Sequence, residues 1–173
     1  MNVLLTGGSA CGKSTYAEKL AVQFGGYLYY IAAMQPYGEE SERRIEKHRC
    51  MRAEKGFTTI ERYTNLKELT LPERGTVLLE CLCNLTANEM FDDGGAGENT
   101  VSEVLLGIES LEKQCDNLVV VTNDVGSDGG GYDRLTMDYV NTLGEINCRL
   151  AKRFENVYEL ICGIPLLIKG ELL

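Results

Sequence analysis

The stretch Asn2-Val3-Leu4-Leu5-Thr6, followed at once by Gly7-Gly8-Ser9-Ala10-Cys11-Gly12-Lys13-Ser14, decides the fold. The first five residues form an apolar run typical of a buried strand, and the next eight fit the pattern GxxxxGK[ST] in full. A segment with helical character follows, from Ser14 to about residue 24. A strand, a glycine loop and a helix in this order predict a phosphate-binding loop, or P-loop, in which backbone N–H groups and a helix N-terminus attract a nucleoside triphosphate. Lys13 is expected to reach the β- and γ-phosphates, and the Ser14 hydroxyl to ligate Mg²⁺.

Apolar runs and amphipathic stretches alternate through the rest of the chain. We predict further strands over residues 27–32, 57–63, 76–81, 117–123, 157–162 and, at an edge, 164–168. We predict further helices over residues 39–52, from the third of these strands to residue 91, and over 101–115 and 135–154. This order predicts an α/β, P-loop NTPase-type fold with a mostly parallel sheet and helices on both faces. We find no internal repeat and no long linker, so we expect residues 1–173 to form a single P-loop nucleotide-binding domain.

Charge and cysteine content narrow the possible partners. The formal net charge is -9 and the pI is near 4.7, so we expect neither nucleic-acid binding nor membrane insertion.

Seven cysteines include no CxxC pair, and Cys81 and Cys83 lie far from the single histidine. Reduced thiols are therefore a better interpretation than a zinc site. With no signal peptide and no apolar run of membrane-spanning length, the cytoplasm is the expected compartment.

Glu80 is the candidate carboxylate partner for a metal ion. It ends the apolar run Val77-Leu78-Leu79, and a P-loop magnesium site commonly includes a carboxylate at the end of a neighbouring strand. The alternative is a strand-end glutamate that faces solvent.

His48 is the only histidine, and it lies in a basic segment of an otherwise acidic chain. Its cationic neighbours are Arg43, Arg44, Lys47, Arg49 and Arg52. One interpretation is a solvated helix face on which nearby glutamates balance these charges. The other is a triphosphate-facing patch whose cations lower the histidine pKa, so that a neutral imidazole can attack phosphorus.

Taken together, these features resemble the bifunctional adenosylcobinamide kinase / adenosylcobinamide-phosphate guanylyltransferase family of cobalamin biosynthesis. The resemblance spans nearly the whole chain and rests on several stretches in a fixed order. These are LLTGGSACGKSTYAE, YIA at residues 30–32, RIEKHR at 44–49, LLEC at 78–81, VTNDVG at 121–126, GEINCRLA and GIPLLIKG.

The resemblance implies a function and a set of site residues. In the family, the histidine matched by His48 takes GMP from GTP as a phosphoramidate and passes it to adenosylcobinamide phosphate. A second activity phosphorylates adenosylcobinamide, with ATP or GTP as donor. Catalytic roles would then fall to His48 and Lys13, with Mg²⁺ held by Ser14 and Glu80. The implied nucleotide contacts are Gly7, Gly8, Ser9, Ala10, Cys11, Gly12, Lys13, Ser14, Ala32, Ala33, Met34, Arg49, Cys50, Met51, Arg52, Glu61 and Glu80. Family members form trimers, so a homotrimer is expected.

The chain departs from the family on the corrinoid side. Asp124 replaces a frequent glutamate, the segment 127–131 reads SDGGG where a proline-containing loop is usual, and an arginine usual in the next helix is not evident at 135–139. We therefore expect guanylyl transfer to be the more robust activity. The alternatives are a P-loop kinase of another small hydroxylated substrate and a non-catalytic nucleotide switch.

Overall fold

The computed structural model of the protein describes residues 1–36, 46, 49, 52, 54–126 and 130–173. Within these ranges the chain forms one seven-stranded sheet and four continuous α-helices. The strands are β1 Asn2–Thr6, β2 Tyr27–Ala32, β3 Phe57–Glu61, β4 Gly75–Leu79, β5 Asn117–Val121, β6 Asn156–Ile161 and β7 Ile164–Lys169. The helices are α1 Lys13–Phe24, α2 Leu82–Phe91, α3 Thr100–Gln114 and α4 Arg134–Arg153, and short 3₁₀ turns cover Leu66–Glu68 and Gly97–Asn99.

The strand order across the sheet is β3-β2-β4-β5-β1-β6-β7. All neighbours pair in parallel except β6 and β7, which form an antiparallel hairpin at one edge. The predicted mostly parallel sheet and its edge strand are therefore confirmed. Because parallel strands end at the same edge, the segments that follow β1, β4 and β5 meet on one side of the molecule.

Alternating side chains of the strands pack against helices on both faces of the sheet. Val3 and Leu5 belong to a buried cluster with α1, whereas Leu4 belongs to a larger cluster with α2, α3 and α4. This two-sided burial explains why β1, β4 and β5 are continuously apolar. None of the helices in the described ranges is long and apolar enough to cross a bilayer.

Three predicted strands end two residues earlier than expected. The strand predicted over 57–63 ends at Glu61, that over 76–81 at Leu79, and that over 117–123 at Val121. After β4, the cause is that Cys81 becomes the N-cap of α2, with its sulfur accepting the Asn84 N–H at 3.4 Å. The helix predicted over 39–52 lies mostly outside the described residues, but the backbone is helical at Glu46, Arg49 and Arg52.

Candidate functional site

The loop between β1 and α1 has a backbone that depends on its glycines. Gly7 and Gly12 have φ values of 137° and 97°, and Ala10 also adopts a positive φ, 57°. A Cβ on Gly7 would lie 2.5 Å from the carbonyl oxygen of Leu160, and one on Gly12 would lie 3.1 Å from the Cα of Gly163. The Gly163 N–H also donates to the Cys11 carbonyl at 2.8 Å. The β6–β7 hairpin therefore packs against the loop and leaves no room for a side chain at Gly7 or at Gly12.

Lys13 occupies the centre of this loop. Its side chain is only 6% exposed, and its ammonium donates to the carbonyls of Gly7 at 2.9 Å and Gly8 at 2.6 Å. A buried ammonium held by backbone carbonyls is a fixed positive charge at the start of α1, where the helix N-terminus adds further positive potential. The arrangement suits an anionic group above the loop.

A cavity of about 340 Å³ opens above the loop at the carboxyl edge of the sheet. It is lined by Ser9, Ala10, Cys11, Gly12, Lys13, Ser14, Thr15, Tyr30, Ala32, Met34, Arg52, Glu80, Cys81, Val121, Thr122 and Asn123. These residues come from the P-loop and the first turn of α1, from the C-terminal parts of β2, β4 and β5 with the residues that follow them, and, for Arg52, from the segment before β3. The loop and three strand ends thus share one cavity.

Arg52 supplies a second buried cation to the cavity. Its guanidinium carbon lies 3.5 Å from the centroid of the Tyr30 ring, and Arg52 is only 2% exposed. Its Nη1 is 3.7 Å from Glu80 Oε2, yet Nε and Nη1 have no hydrogen-bond partner among the described residues. Leaving buried donors unpaired costs free energy, so an acceptor from a bound anion would stabilise this guanidinium.

Glu80 accepts hydrogen bonds from two other residues that line the cavity. Its carboxylate accepts from the Tyr30 hydroxyl at 2.5 Å and from the Met34 N–H at 3.1 Å. Burial, together with the adjacent Glu80 carboxylate, raises the pKa of Tyr30 far above its ordinary value. Tyr30 therefore stays a neutral donor to Glu80 at physiological pH.

Two cysteines next to the cavity interact through their thiols. The contact with Cys81 lowers the pKa of Cys83 to about 6 and raises that of Cys81. Cys83 also lies 3.8 Å from the Thr122 hydroxyl, and Tyr139 donates to the Cys83 carbonyl at 3.2 Å. The start of α2 is thereby tied to the end of β5 and to α4.

The structure brings together most of the predicted site residues, but not all. Residues Ser9 to Ser14 line the cavity with Ala32, Met34, Arg52 and Glu80. Other predicted contacts lie outside its lining, namely Gly7, Gly8, Ala33, Arg49 and Glu61. Arg49 instead pairs with Glu61 at 3.2 Å, and the Ala33 carbonyl accepts from Asn88. His48, Cys50 and Met51 lie outside the described residues.

Sequence reasoning did not identify several lining residues. Tyr30 lies inside β2, and its face of the strand is set by the alternation of side chains, which a short, continuously apolar strand conceals. Thr122 and Asn123 directly follow β5, so their position at the carboxyl end of a parallel strand was the available signal. Thr15 and Cys81 adjoin residues that were identified.

Comparison with known proteins relates this chain to one family. The model of a family described as cobinamide kinase / cobinamide phosphate guanyltransferase matches residues 3–168. The chain is 32% identical to the bifunctional adenosylcobalamin biosynthesis protein CobU of Escherichia coli K12, covering 98% of this chain and all of that protein. It is also 32% identical to the corresponding CobP protein of Pseudomonas aeruginosa, with 99% of each chain covered.

A solved structure from Pyrococcus horikoshii OT3 shares the fold. It superposes with a TM-score of 0.51 at 9% identity, covering 99% of this chain and 87% of that one. At this level of identity the likeness shows the architecture alone, a mostly parallel sheet packed against helices. The match over residues 3–168 and the full-length relatives show more than the architecture, and this chain is a member of the cobinamide kinase / cobinamide phosphate guanyltransferase family.

Proposed function

We propose that the chain transfers GMP from GTP to adenosylcobinamide phosphate, giving adenosylcobinamide-GDP, and that it also phosphorylates adenosylcobinamide with ATP or GTP. Family membership supports this proposal, since the E. coli and P. aeruginosa relatives are described as bifunctional. The observation that carries it is the cavity, which places two buried cations, Lys13 and Arg52, beside a complete P-loop. Such a site matches the charge of a triphosphate and of a departing pyrophosphate.

In the guanylyl transfer, His48 is the proposed nucleophile. A neutral imidazole nitrogen attacks the α-phosphorus of GTP, a P–N bond forms, and the bond to the β-phosphate oxygen breaks to release pyrophosphate. A phosphate oxygen of the acceptor then attacks the same phosphorus, the P–N bond breaks, and the histidine is regenerated. Cationic neighbours of His48 along the chain favour the neutral imidazole that this step needs.

Mg²⁺ is the proposed metal cofactor, with Ser14 and Glu80 as the residues that would hold it. The Ser14 side chain is exposed at the start of α1 beside Lys13, as expected for a hydroxyl that ligates a triphosphate-bound cation. Each Glu80 oxygen accepts one hydrogen bond and keeps a further lone pair, which can receive a metal-bound water. When bound, Mg²⁺ would offset negative charge on the phosphates.

Labelling with GTP that carries ³²P at the α-phosphate tests the nucleophile. We expect covalent label that is acid-labile and alkali-stable, as a phosphoramidate is, and no label in His48→Ala. The chain has no second histidine that could replace the first. Label that persists in His48→Ala would disprove the histidine mechanism.

The two activities are tested by comparing adenosylcobinamide with its phosphate as acceptor, at equal GTP. Phosphoryl transfer to the hydroxyl requires that group to be held in line with the γ-phosphate, so it depends strongly on the acceptor side of the site. We expect faster turnover of the phosphate, because residues 127–131 read SDGGG where the family usually has a proline-containing loop, and glycines raise the entropy cost of fixing a backbone around an acceptor. Equal turnover of both acceptors would contradict this order.

We further propose a homotrimer located in the cytoplasm. The edge strand β7 exposes Ile164, Leu166 and Ile168, which are at successive alternate positions and so share one face. An apolar face on an edge strand is a surface that a second copy can cover.

The six cysteines in the described ranges are free thiols, which supports a reducing compartment such as the proposed cytoplasm.

A further inference from the structure

An apolar surface borders the nucleotide cavity and is not used by the chemistry above. Phe91, at the end of α2, is 48% exposed, and Leu135, in the first turn of α4, is 62% exposed. The rings of Phe91 and Tyr139 lie 6.4 Å apart between centroids. Leu135 precedes Tyr139 by four residues, so both lie on the same side of α4. We refer to Phe91, Leu135 and Tyr139 as the aromatic platform.

Two sets of contacts place the platform beside the cavity. The Tyr139 hydroxyl donates to the carbonyl of Cys83 at 3.2 Å, two residues after Cys81, which lines the cavity. On the other side, the side chain of Gln35 donates to Asp92, the residue after Phe91. Gln35 in turn follows Met34, another lining residue. The platform is therefore held to two segments of the cavity wall.

The charge around the platform differs from that of the cavity. Lys13 and Arg52 make the cavity cationic. Carboxylates adjoin the platform along the chain: Asp92 follows Phe91, Asp138 precedes Tyr139, and Asp133, the N-cap of α4, lies two residues before Leu135. Arg134 is a neighbour of opposite charge. A second nucleotide would bring its phosphates towards these carboxylates, whereas a cationic ligand with broad apolar faces is complementary to them.

The corrin ring of adenosylcobinamide has these properties. Cobalt(III), with its three positive charges, is bound by a monoanionic macrocycle and a carbanionic adenosyl ligand, so the core carries one net positive charge. We infer that the aromatic platform binds the corrin ring of the acceptor, so that its aminopropanol arm extends over Cys81 and Cys83 towards the cavity. This inference rests on the proposed function, because it identifies where the acceptor of that reaction binds.

Equilibrium dialysis of adenosylcobinamide, followed by the corrin absorbance, tests the platform directly. Burial of a large apolar side chain contributes enough that Phe91→Ser and Leu135→Ser should each raise the Kd roughly tenfold. Phe91→Tyr should retain near-original affinity because it keeps the ring. Leu106→Ser is the matched control, since Leu106 is 46% exposed on α3 and lies outside the platform. GMP labelling without acceptor should be unchanged in all four variants.

An unchanged Kd in both Phe91→Ser and Leu135→Ser would overturn the inference. If the sedimentation mass of these variants falls while the Kd is unchanged, the platform is a contact between copies of the chain, which also overturns it. Failure of the proposed function is distinguishable, because the unsubstituted protein would then take no GMP label whatever the Kd for the corrinoid. Each variant replaces an exposed side chain, so folding is checked by an unaltered unfolding midpoint.

Discussion

The guanidinium of Arg52 stacks on the ring of Tyr30, with 3.5 Å between its central carbon and the ring centroid. Both residues also contact Glu80. Its carboxylate accepts a hydrogen bond from the Tyr30 hydroxyl and forms an ion pair with Arg52 Nη1 at 3.7 Å. The stacking fixes the plane of the guanidinium, whose buried Nε and Nη1 have no hydrogen-bond partner within the part of the chain that the structure describes.

Arg52→Lys is expected to weaken GTP binding although it keeps the charge. A lysine ammonium cannot both stack on Tyr30 and present a planar set of donors, so we expect a loss of about tenfold in affinity by calorimetry. Tyr30→Phe keeps the stacking ring and removes only the hydrogen bond to Glu80, and should lose less than Tyr30→Leu. Equal affinities for Tyr30→Phe and Tyr30→Leu would show that stacking does not orient Arg52.

Lys13→Ala is expected to abolish measurable GTP binding, with a loss of about a hundredfold or more, while the protein remains folded. The substitution removes a buried cation and the two hydrogen bonds that it donates to the loop carbonyls. Lys19→Ala is the control, because Lys19 is an exposed lysine of the same helix. Calorimetry with GTP and Mg²⁺ makes the comparison, and unchanged affinity in Lys13→Ala would exclude the P-loop as the triphosphate site.

Neighbouring glycines of the loop should tolerate alanine very differently. In Gly7→Ala the new Cβ would approach the Leu160 carbonyl oxygen to 2.5 Å at a φ of 137°, so we expect a destabilisation of about 2 kcal/mol and loss of nucleotide binding. Gly8 has no heavy atom within 4 Å of the equivalent position, and Gly8→Ala should change stability by less than about 0.5 kcal/mol. Urea denaturation of both variants tests this, and equal destabilisation would contradict the described loop geometry.

Stability should fall at alkaline pH, partly because of Cys115. Burial raises the pKa of this thiol from 9.0 to about 11 in the folded chain. Because the unfolded chain loses the proton first, the contribution is complete below pH 9.0 and is lost as the pH rises through about 11. Cys115→Ala should therefore lose less stability between pH 8 and pH 10.5 than the parent, measured by urea denaturation. Cys148→Ala, at an exposed thiol, should follow the parent curve; a parallel curve for Cys115→Ala would refute the assignment.

Leu166→Asp is expected to dissociate the proposed homotrimer into smaller species. The substitution places a charge in the middle of the exposed apolar face of β7, where a contact with another copy would have to bury it. Light scattering at several protein concentrations measures the mass. Leu106→Asp, on α3, is the control, and an unchanged mass for Leu166→Asp would show that β7 is not the interface.

Local patterns in the sequence were sufficient for the order of the elements. Apolar runs of strand length and the helical segments between them reflect short-range preferences, and each of the predicted strands is present. The ends of the strands were less predictable, since the ladder of β4 ends where Cys81 begins to cap α2. Six residues of the predicted P-loop, Ser9 to Ser14, line one cavity together, as a motif that is continuous in the chain makes possible.

Contacts between residues far apart in sequence could be identified only from the tertiary structure. Tyr30 and Glu80 are 50 residues apart, and Cys83 and Tyr139 are 56 apart, so no local period relates them. Glu61 lies against Arg49 and Tyr63, and the nucleotide contact that the resemblance implied for it stays a prediction. The sequence by itself determined the strand–loop–helix unit that we propose binds phosphate, since that unit is built from adjacent residues. Only the packing of β2, β4 and β5 side by side decided that a buried arginine, its aromatic support and its carboxylate partner would meet above the loop.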